Sequence, residues 1–258
     1  MNRGGNGNSK APDLCVMKKS SSLGDLIIKP IEKPTAKAII VKNHYSHTWN
    51  DGGFGIFNFG IFRAEAPDDC LGCVVYGFMK NPKARLFTHP RHGAWMCELN
   101  RMWISDDLGK NAETILISHS IRLIRRIDRS VVAIQSFADG RLGCGTIYKA
   151  ANFRYYGYTW TRFFRDKNTG RIYHNQILTN TTSPTGYVRS NVLLLLGDLV
   201  PFRVKTYRYI YPLDKRYRCL LKEQPYPEYE RGEFPADYTP DREIIVRRVI
   251  ERLRPFAK

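Results

Sequence analysis

The chain has 258 residues and a formal net charge of +17, from 41 Lys and Arg against 24 Asp and Glu. Its length and 43% hydrophobic content suffice for a buried core. A positive excess of this size is unusual for a small-molecule enzyme and favours a polyanionic partner, nucleic acid first and a membrane surface second.

Residues 1–24 are polar and rich in Gly, Ser and Asn, the composition of a disordered basic arm. "LIIKPI", residues 26–31, reads as a strand, and Thr35 offers the N-cap of a helix that ends near His44. "GGFGIFNFGIF" and "CLGCVVYGFM" read as paired strands joined by the polar loop from Glu65 to Asp69. "AWMCELNRMWIS", residues 94–105, is the next strand. Period two places Met96, Glu98, Asn100 and Met102 on one face and Arg101 on the other, so Glu98 and Arg101 are not expected to pair.

The loop "DDLGKN" leads into a helix over about 112–128, with Ile115, Leu116, Leu123, Ile124 and Ile127 as its apolar stripe. "VVAIQSFA", residues 131–138, is a buried strand. It is followed by the Gly-rich turn at Gly140, Gly143 and Gly145, a short helix around Tyr148, and aromatic strands through Phe164. The order β-α-β-β-β-α-β-α-β is a mixed α/β arrangement. Residues 141–222 carry 15 Lys and Arg against three acids, most of the whole excess. "VLLLLGDLV" from Val192 is interrupted by Gly197 and Asp198 and is too short to span a membrane. Residues 25–222 read as one domain, and residues 223–258 as a Pro-rich linker and an amphipathic helix that starts at Thr239-Pro240. The N-terminus lacks the apolar core of a signal peptide, so the six cysteines are expected to be reduced and the location cytoplasmic.

Several constellations carry possible chemistry. The loop before the helix at Ala112 presents free backbone N–H groups to an anion. Acyltransferases of the GNAT superfamily hold the coenzyme A pyrophosphate at such a loop. Gly109 and Asn111 stand at the matching places, while Asp106 and Asp107 would repel a phosphate. "GTIYKAANFRYYGY" resembles the segment in which that superfamily carries a tyrosine general acid, here Tyr148, although a core tyrosine satisfies the same pattern. Asp139 ends a buried strand, a position suited to act on a ligand, or equally to form an Asp-Gly turn.

"NHYSH" offers His44, Tyr45 and His47 for substrate contact or, with further ligands, for a metal. His119 lies on an apolar helix stripe and reads as a core histidine. Cys70 and Cys73 have no second pair at zinc spacing and read as buried thiols. Arg203, Lys205, Arg208, Lys215, Arg216 and Arg218 interleave with aromatics as a DNA-binding track would, although half of such aromatics belong to the core of an ordinary sheet.

Taken in order, "NHYSH", "ELNRMWISDDLGKNAETIL", "SFAD", "IYKAANFRYYG" and "KTYRYIYPL" resemble the Mom family of phage DNA-modification proteins, over residues 25–222. The resemblance implies a GNAT-like fold, a mostly antiparallel central sheet flanked by helices with a basic C-terminal extension. It implies conversion of adenine in phage DNA to N6-carbamoylmethyladenine against host restriction, in the host cytoplasm. The expected partners are double-stranded DNA and a small-molecule group donor, with acetyl-CoA or another activated acyl donor suggested by fold analogy and a metal left open.

Carried over, His44, Tyr45, Glu98, Arg101, Asn111, Asp139, Tyr148 and Asn152 line the site. Asp139 or His44 would accept the amine proton, Tyr148 would assist the leaving group, and Tyr45 or Tyr156 would stack on a flipped base. Neither a DPPY-like tetrapeptide nor a Gly-rich SAM loop marks a methyltransferase. An N-acetyltransferase of small molecules or proteins would not need the basic segment, and a non-catalytic DNA-binding protein would leave the ordered motifs idle.

Overall fold

Apolar and aromatic runs become strands, and the amphipathic segments at residues 112–127 and 242–253 become helices. The computed structural model describes residues 15–19, 23–81, 84–175, 178, 184–236 and 241–256. Its elements in chain order begin with β1 (Val16–Lys18), β2 (Leu26–Pro30), α1 (Lys33–Asn43), β3 (Phe57–Arg63), β4 (Gly72–Phe78) and β5 (Phe87–Thr88). Next come β6 (Trp95–Ile104), α2 (Ala112–Ile127), β7 (Val131–Asp139), α3 (Thr146–Ala150), β8 (Arg154–Asp166) and β9 (Ile172–His174). The chain continues with α4 (Pro184–Leu196), β10 (Leu199–Pro212), β11 (Arg218–Cys219), β12 (Phe234–Pro235) and α5 (Arg242–Leu253). The fold is mixed α/β, a large sheet flanked by helices; where the register is defined its pairs are antiparallel, except for the parallel pair β6–β7.

The chain forms two compact units that interleave in sequence. The first contains residues 1–137, 146–156 and 209–226; the second contains residues 138–145, 157–208 and 227–258. In the first unit the strand order is β1-β2-β3-β4-β6-β7, with the Tyr209–Pro212 end of β10 next. β3 and β4 are buried along nearly their whole length, because helices cover both faces of the sheet. On one face α1 lays Ala36 and Ile40 against Cys73 and Val75. On the other, the Tyr76 hydroxyl meets Ser120 of α2 at 2.6 Å. Each fully buried large side chain here, such as Phe59 or Ile61, contributes roughly 1.5–3 kcal/mol.

Some boundaries differ from the sequence reading. α1 starts before Thr35, with Glu32 as N-cap and Pro34 in the first turn, where a missing N–H costs nothing and φ is preset. Val16–Lys18, within the expected arm, pairs with Leu26–Ile28; residues 1–14 and 20–22 lie outside the described residues. The buried stripe of α2 runs through Leu116, Ile117, Ile121 and Ile124, and Ile127 in its last turn is 41% exposed.

In the second unit β10, β8 and β9 are neighbours in that order, and β12 pairs with β10 at Phe202 and Arg203. Phe164, Leu178, Leu194 of α4 and Ile245 of α5 form its core. α5 is capped by Asp241, whose carboxylate accepts the Ile244 N–H at 3.1 Å; the Thr239-Pro240 start expected from the sequence lies outside the described residues. The Pro-rich segment is tied down by ion pairs of Glu230 with Lys205 and of Glu233 with Arg165, each at 2.6 Å. Among the described residues, no helix is long and apolar enough to cross a membrane.

Candidate active site

The site grows from an irregularity in β6. Glu98 lies opposite Gly77, Leu99 opposite Tyr76, and Arg101 opposite Val75, so Asn100 is an extra residue, a β-bulge. Opposed residues share a face, and Gly77 and Val75 are two apart on β4. Glu98 and Arg101 therefore point to the same face, which corrects the strict alternation expected from the sequence. Met102, opposite Val74, points to the other face. The parallel ladder of β6 with β7 ends at Leu99–Ser136, although β6 runs on to Ile104. The strands part beside Glu98.

Glu98 is held from several sides. Gln135 Nε2 of β7 donates to its carboxylate at 2.8 Å and Asn100 Nδ2 at 3.3 Å. The Lys80 backbone amide adds a third hydrogen bond. Burial nonetheless prevails and raises its pKa above the ordinary carboxylate value. The amide oxygens of Asn100 and Gln135 are buried without a partner. Sequence reasoning placed neither amide in the site; the signal for Gln135 was a polar residue inside an apolar strand.

Arg101 is nearly enclosed. Its Nη1 donates to the Asn100 carbonyl at 2.6 Å, its Nη2 to Thr48 Oγ1 at 3.2 Å, and its guanidinium stands 4.8 Å over the Phe54 ring. Its Nε is buried without a partner. Burial lowers the pKa, and Tyr45 and Glu98 oppose this.

His44 caps the C-terminal end of α1, with the Tyr45 ring centroid 4.2 Å away. Burial first, then the charges of Arg101 and His47, lower its pKa to about 4. Its Nδ1 accepts the Ser46 N–H at 3.1 Å, which leaves the proton of the neutral ring on Nε2. His44 is thus neutral at pH 7, with its Nδ1 engaged by Ser46 and its Nε2–H as a donor. A depressed histidine pKa means that the unfolded chain protonates first as pH falls. Stability is then complete above pH 6.5 and drains down to about pH 4. His44→Asn is expected to flatten this acid limb by roughly 3 kcal/mol, read from urea midpoints at pH 4 and 7.

Tyr148 comes from the opposite face, on α3, packed against Phe153 and Tyr209. Its hydroxyl bonds with Ser136, and burial raises its pKa to about 12, with smaller contributions from Tyr45 and Glu98. The core-tyrosine and site-tyrosine readings are therefore compatible. Its ring is packed, and its hydroxyl lies within electrostatic reach of Glu98 where β6 and β7 part.

The other expected residues are held as follows. Asp139 belongs to the second unit, and Arg141 engages both its oxygens while the Arg141 N–H bonds Oδ1 at 3.0 Å, the turn-forming arrangement. Asn152 is exposed and left-handed, with φ 62°, and turns the chain after α3. Of the two stacking candidates, Tyr156 packs against the core cluster that includes Met96, Ile210 and Tyr217, and Tyr45 stands against His44.

Asn111, with φ 72°, precedes α2 and makes no side-chain cap to the N–H groups of the first turn. That backbone fits a pyrophosphate such as that of acetyl-CoA, and Asp106 and Asp107 oppose it. Of the six basic positions, Arg203, Lys205 and Arg208 are in the second unit and Lys215, Arg216 and Arg218 in the first. Lys205 is committed to Glu230, and Arg216 to Asp214 at 2.8 Å. Among the described residues no three His, Cys, Asp or Glu side chains cluster as metal ligands.

The sequence matches the family model described as the Mom protein family over residues 25–228. It is 33% identical over 216 residues to the methylcarbamoylase Mom of Escherichia phage Mu, covering 79% of this chain and 84% of that protein. Among solved structures it is similar to Arabidopsis thaliana NAA60 in complex with acetyl-CoA, with a TM-score of 0.45 and 9% identity over 73% of this chain and 99% of that one. It is also similar to the ribosomal-protein-S5-alanine acetyltransferase of Vibrio fischeri, with a TM-score of 0.43 and 9% identity over 78% and 98%. With a family model spanning most of its length and a third of its aligned residues shared with the phage Mu protein, the chain belongs to the Mom protein family.

Proposed function

We propose that the protein is a DNA-modifying transferase that converts adenine to N6-carbamoylmethyladenine and so shields phage DNA from restriction in the host cytoplasm. The observation that carries this reading is the buried Glu98 carboxylate, held by Gln135 and Asn100, raised in pKa by burial and within electrostatic reach of Arg101 and Tyr148. The family membership and the basic second half support it. The exocyclic amine of adenine is a weak nucleophile, because its lone pair is delocalised into the ring. It is also inaccessible within a stacked duplex, so the base is flipped out and laid on Tyr45, which is 54% exposed.

As the bond from N6 to the donor carbon forms, N6 loses a proton and Glu98 accepts it. This moves the proton acceptor from Asp139, whose oxygens are engaged by Arg141, and from His44, whose Nδ1 is engaged by Ser46. Tyr148, protonated throughout the neutral range, donates to the departing group. Arg101 offsets developing negative charge, and the Nε2–H of His44 orients the base. The donor for this product is a carbamoylmethyl group with a leaving group on its methylene carbon. The N6–carbon bond forms as the carbon–leaving-group bond breaks, and the leaving group departs with the proton from Tyr148. An acyl-CoA attacked at its thioester carbon would give an N6-acyl adenine instead, and the mass of the modified nucleoside distinguishes the two. Arg203, Lys205, Arg208, Lys215, Arg216 and Arg218 are the proposed phosphate contacts.

Plasmid DNA from bacteria expressing the soluble protein, digested to nucleosides, is expected to contain a deoxyadenosine heavier by the carbamoylmethyl group in mass spectrometry. An unmodified digest from a host that supplies the donor would overturn the reading.

A further inference from the structure

A cavity of about 580 Å³ opens in the first unit at the end of the sheet where β7 begins. Its lining residues Leu213 and Asp214 donate their amide N–H groups to the Val132 carbonyl at 2.9 and 3.2 Å. Glu98 and Ser136 lie towards the other end of β7. Its size falls within the ordinary range of ligand pockets.

The charge of the lining is unbalanced. The two acids present are already engaged: Asp214 by Arg216 at 2.8 Å and His89 at 3.3 Å, and Glu223 by Arg154 at 3.3 Å. Arg125, Lys215 and Arg218 face the same cavity, and among the described residues no carboxylate pairs with them. Arg218 is pre-positioned, because its Nη1 donates to the carbonyls of Lys215 and Tyr217 at 2.7 and 3.0 Å. Three like charges around one cavity repel one another, and an entering anion relieves that cost. The neighbouring wall is aromatic, with Tyr156 and Tyr217 beside Cys219. Cations converging next to a flat ring match a phosphate attached to a nucleoside.

We infer that this cavity binds one nucleotide unit, its phosphate held by Arg125, Lys215 and Arg218 and its ring against Tyr156. The unit belongs to the DNA strand beside the target, so the cavity is a grip separate from the reaction site. The choice of strand rests on the reading of DNA as substrate.

The test compares wild type with an Arg125→Ser, Lys215→Ser double variant, with Arg122→Ser as an exposed control on the same helix. Anisotropy of a labelled duplex across NaCl concentrations is expected to show affinity reduced about tenfold and a salt slope shallower by about one in the double variant only. In wild type the duplex is expected to slow iodoacetamide labelling of Cys219, read by peptide mass spectrometry, and in the double variant to leave it unchanged. Equal melting temperatures exclude unfolding. If duplex binds both proteins with the same slope and Cys219 labels equally fast, the grip is overturned while the DNA reading stands. If wild type binds no duplex, the DNA reading fails and the strand grip with it; protection of Cys219 by AMP would then support a site for free nucleotides, and its absence would overturn the cavity assignment altogether.

Discussion

Glu98→Gln is expected to lower adenine modification at least about 10²-fold while the protein stays folded, since general-base catalysis is worth 10²–10⁴-fold. The shape of the side chain is kept and its basicity removed. Gln135 and Asn100 each have a buried amide oxygen without a partner, so either amide can turn to accept from the new Nε2–H group. The pH behaviour separates a base from a spacer. Burial raises the carboxyl pKa, so wild-type activity should fall as pH drops through that raised value, and the residual activity of the variant should show no such limb.

Stability runs the opposite way with pH. A folded state that binds the Glu98 proton more tightly than the unfolded chain loses stability as pH rises between the ordinary and the raised value, and Glu98→Gln removes that slope. Modification by Glu98→Gln at the wild-type rate, measured by nucleoside mass spectrometry between pH 5 and pH 8, would remove Glu98 from the proposed role.

Gly77→Ala is expected to cost roughly 3 kcal/mol or more and to abolish modification. A methyl at Gly77 would stand 1.9 Å from the Gly53 carbonyl oxygen and 2.6 Å from Asn100 Oδ1. The carbonyl cannot swing aside, because it accepts the Phe78 N–H at 2.9 Å and its turn is closed by Gly53 and Phe54 amides on the Asn50 carbonyl. Gly77 is the partner of Glu98 across the bulge, so relief of the clash displaces Asn100 and with it the Glu98 network. Gly52→Ala, whose added methyl meets only Asn50 Oδ1 at 3.7 Å, should change stability by less than about 1 kcal/mol. Urea midpoints of the two variants are the measurement, and equal midpoints would refute the steric argument.

The sequence carried the element order well, because the apolar runs of β3, β4 and β7 and the amphipathic α2 are local signals. The geometry around Glu98 was not local. The bulge at Asn100 exists only through the register of β6 against β4, and nothing within "ELNRMW" announces an extra residue. His44 was legible as a site candidate, but its tautomer depends on the Ser46 amide. Asp139 was legible as a strand end, yet its engagement by Arg141 distinguishes a turn former from a free carboxylate. The basic surplus was plain from composition; which cations are already neutralised was not, since Glu230 and Glu233 lie 25 and 68 residues from Lys205 and Arg165.

The return of residues 209–226 to the first unit has a consequence for synthesis on the ribosome. Met79, Met96, Val132 and Ala133 are covered by Ile210 and Tyr217, which are translated only after the whole stretch from Gly157 to Arg208. Until then those apolar side chains lack their cover, and a nascent chain stopped at Arg208 would display them. The last piece of the unit that carries Glu98 therefore arrives late, so chains broken off early hold Glu98, Arg101 and Tyr148 but lack a finished core, which exposes them to aggregation and proteolysis.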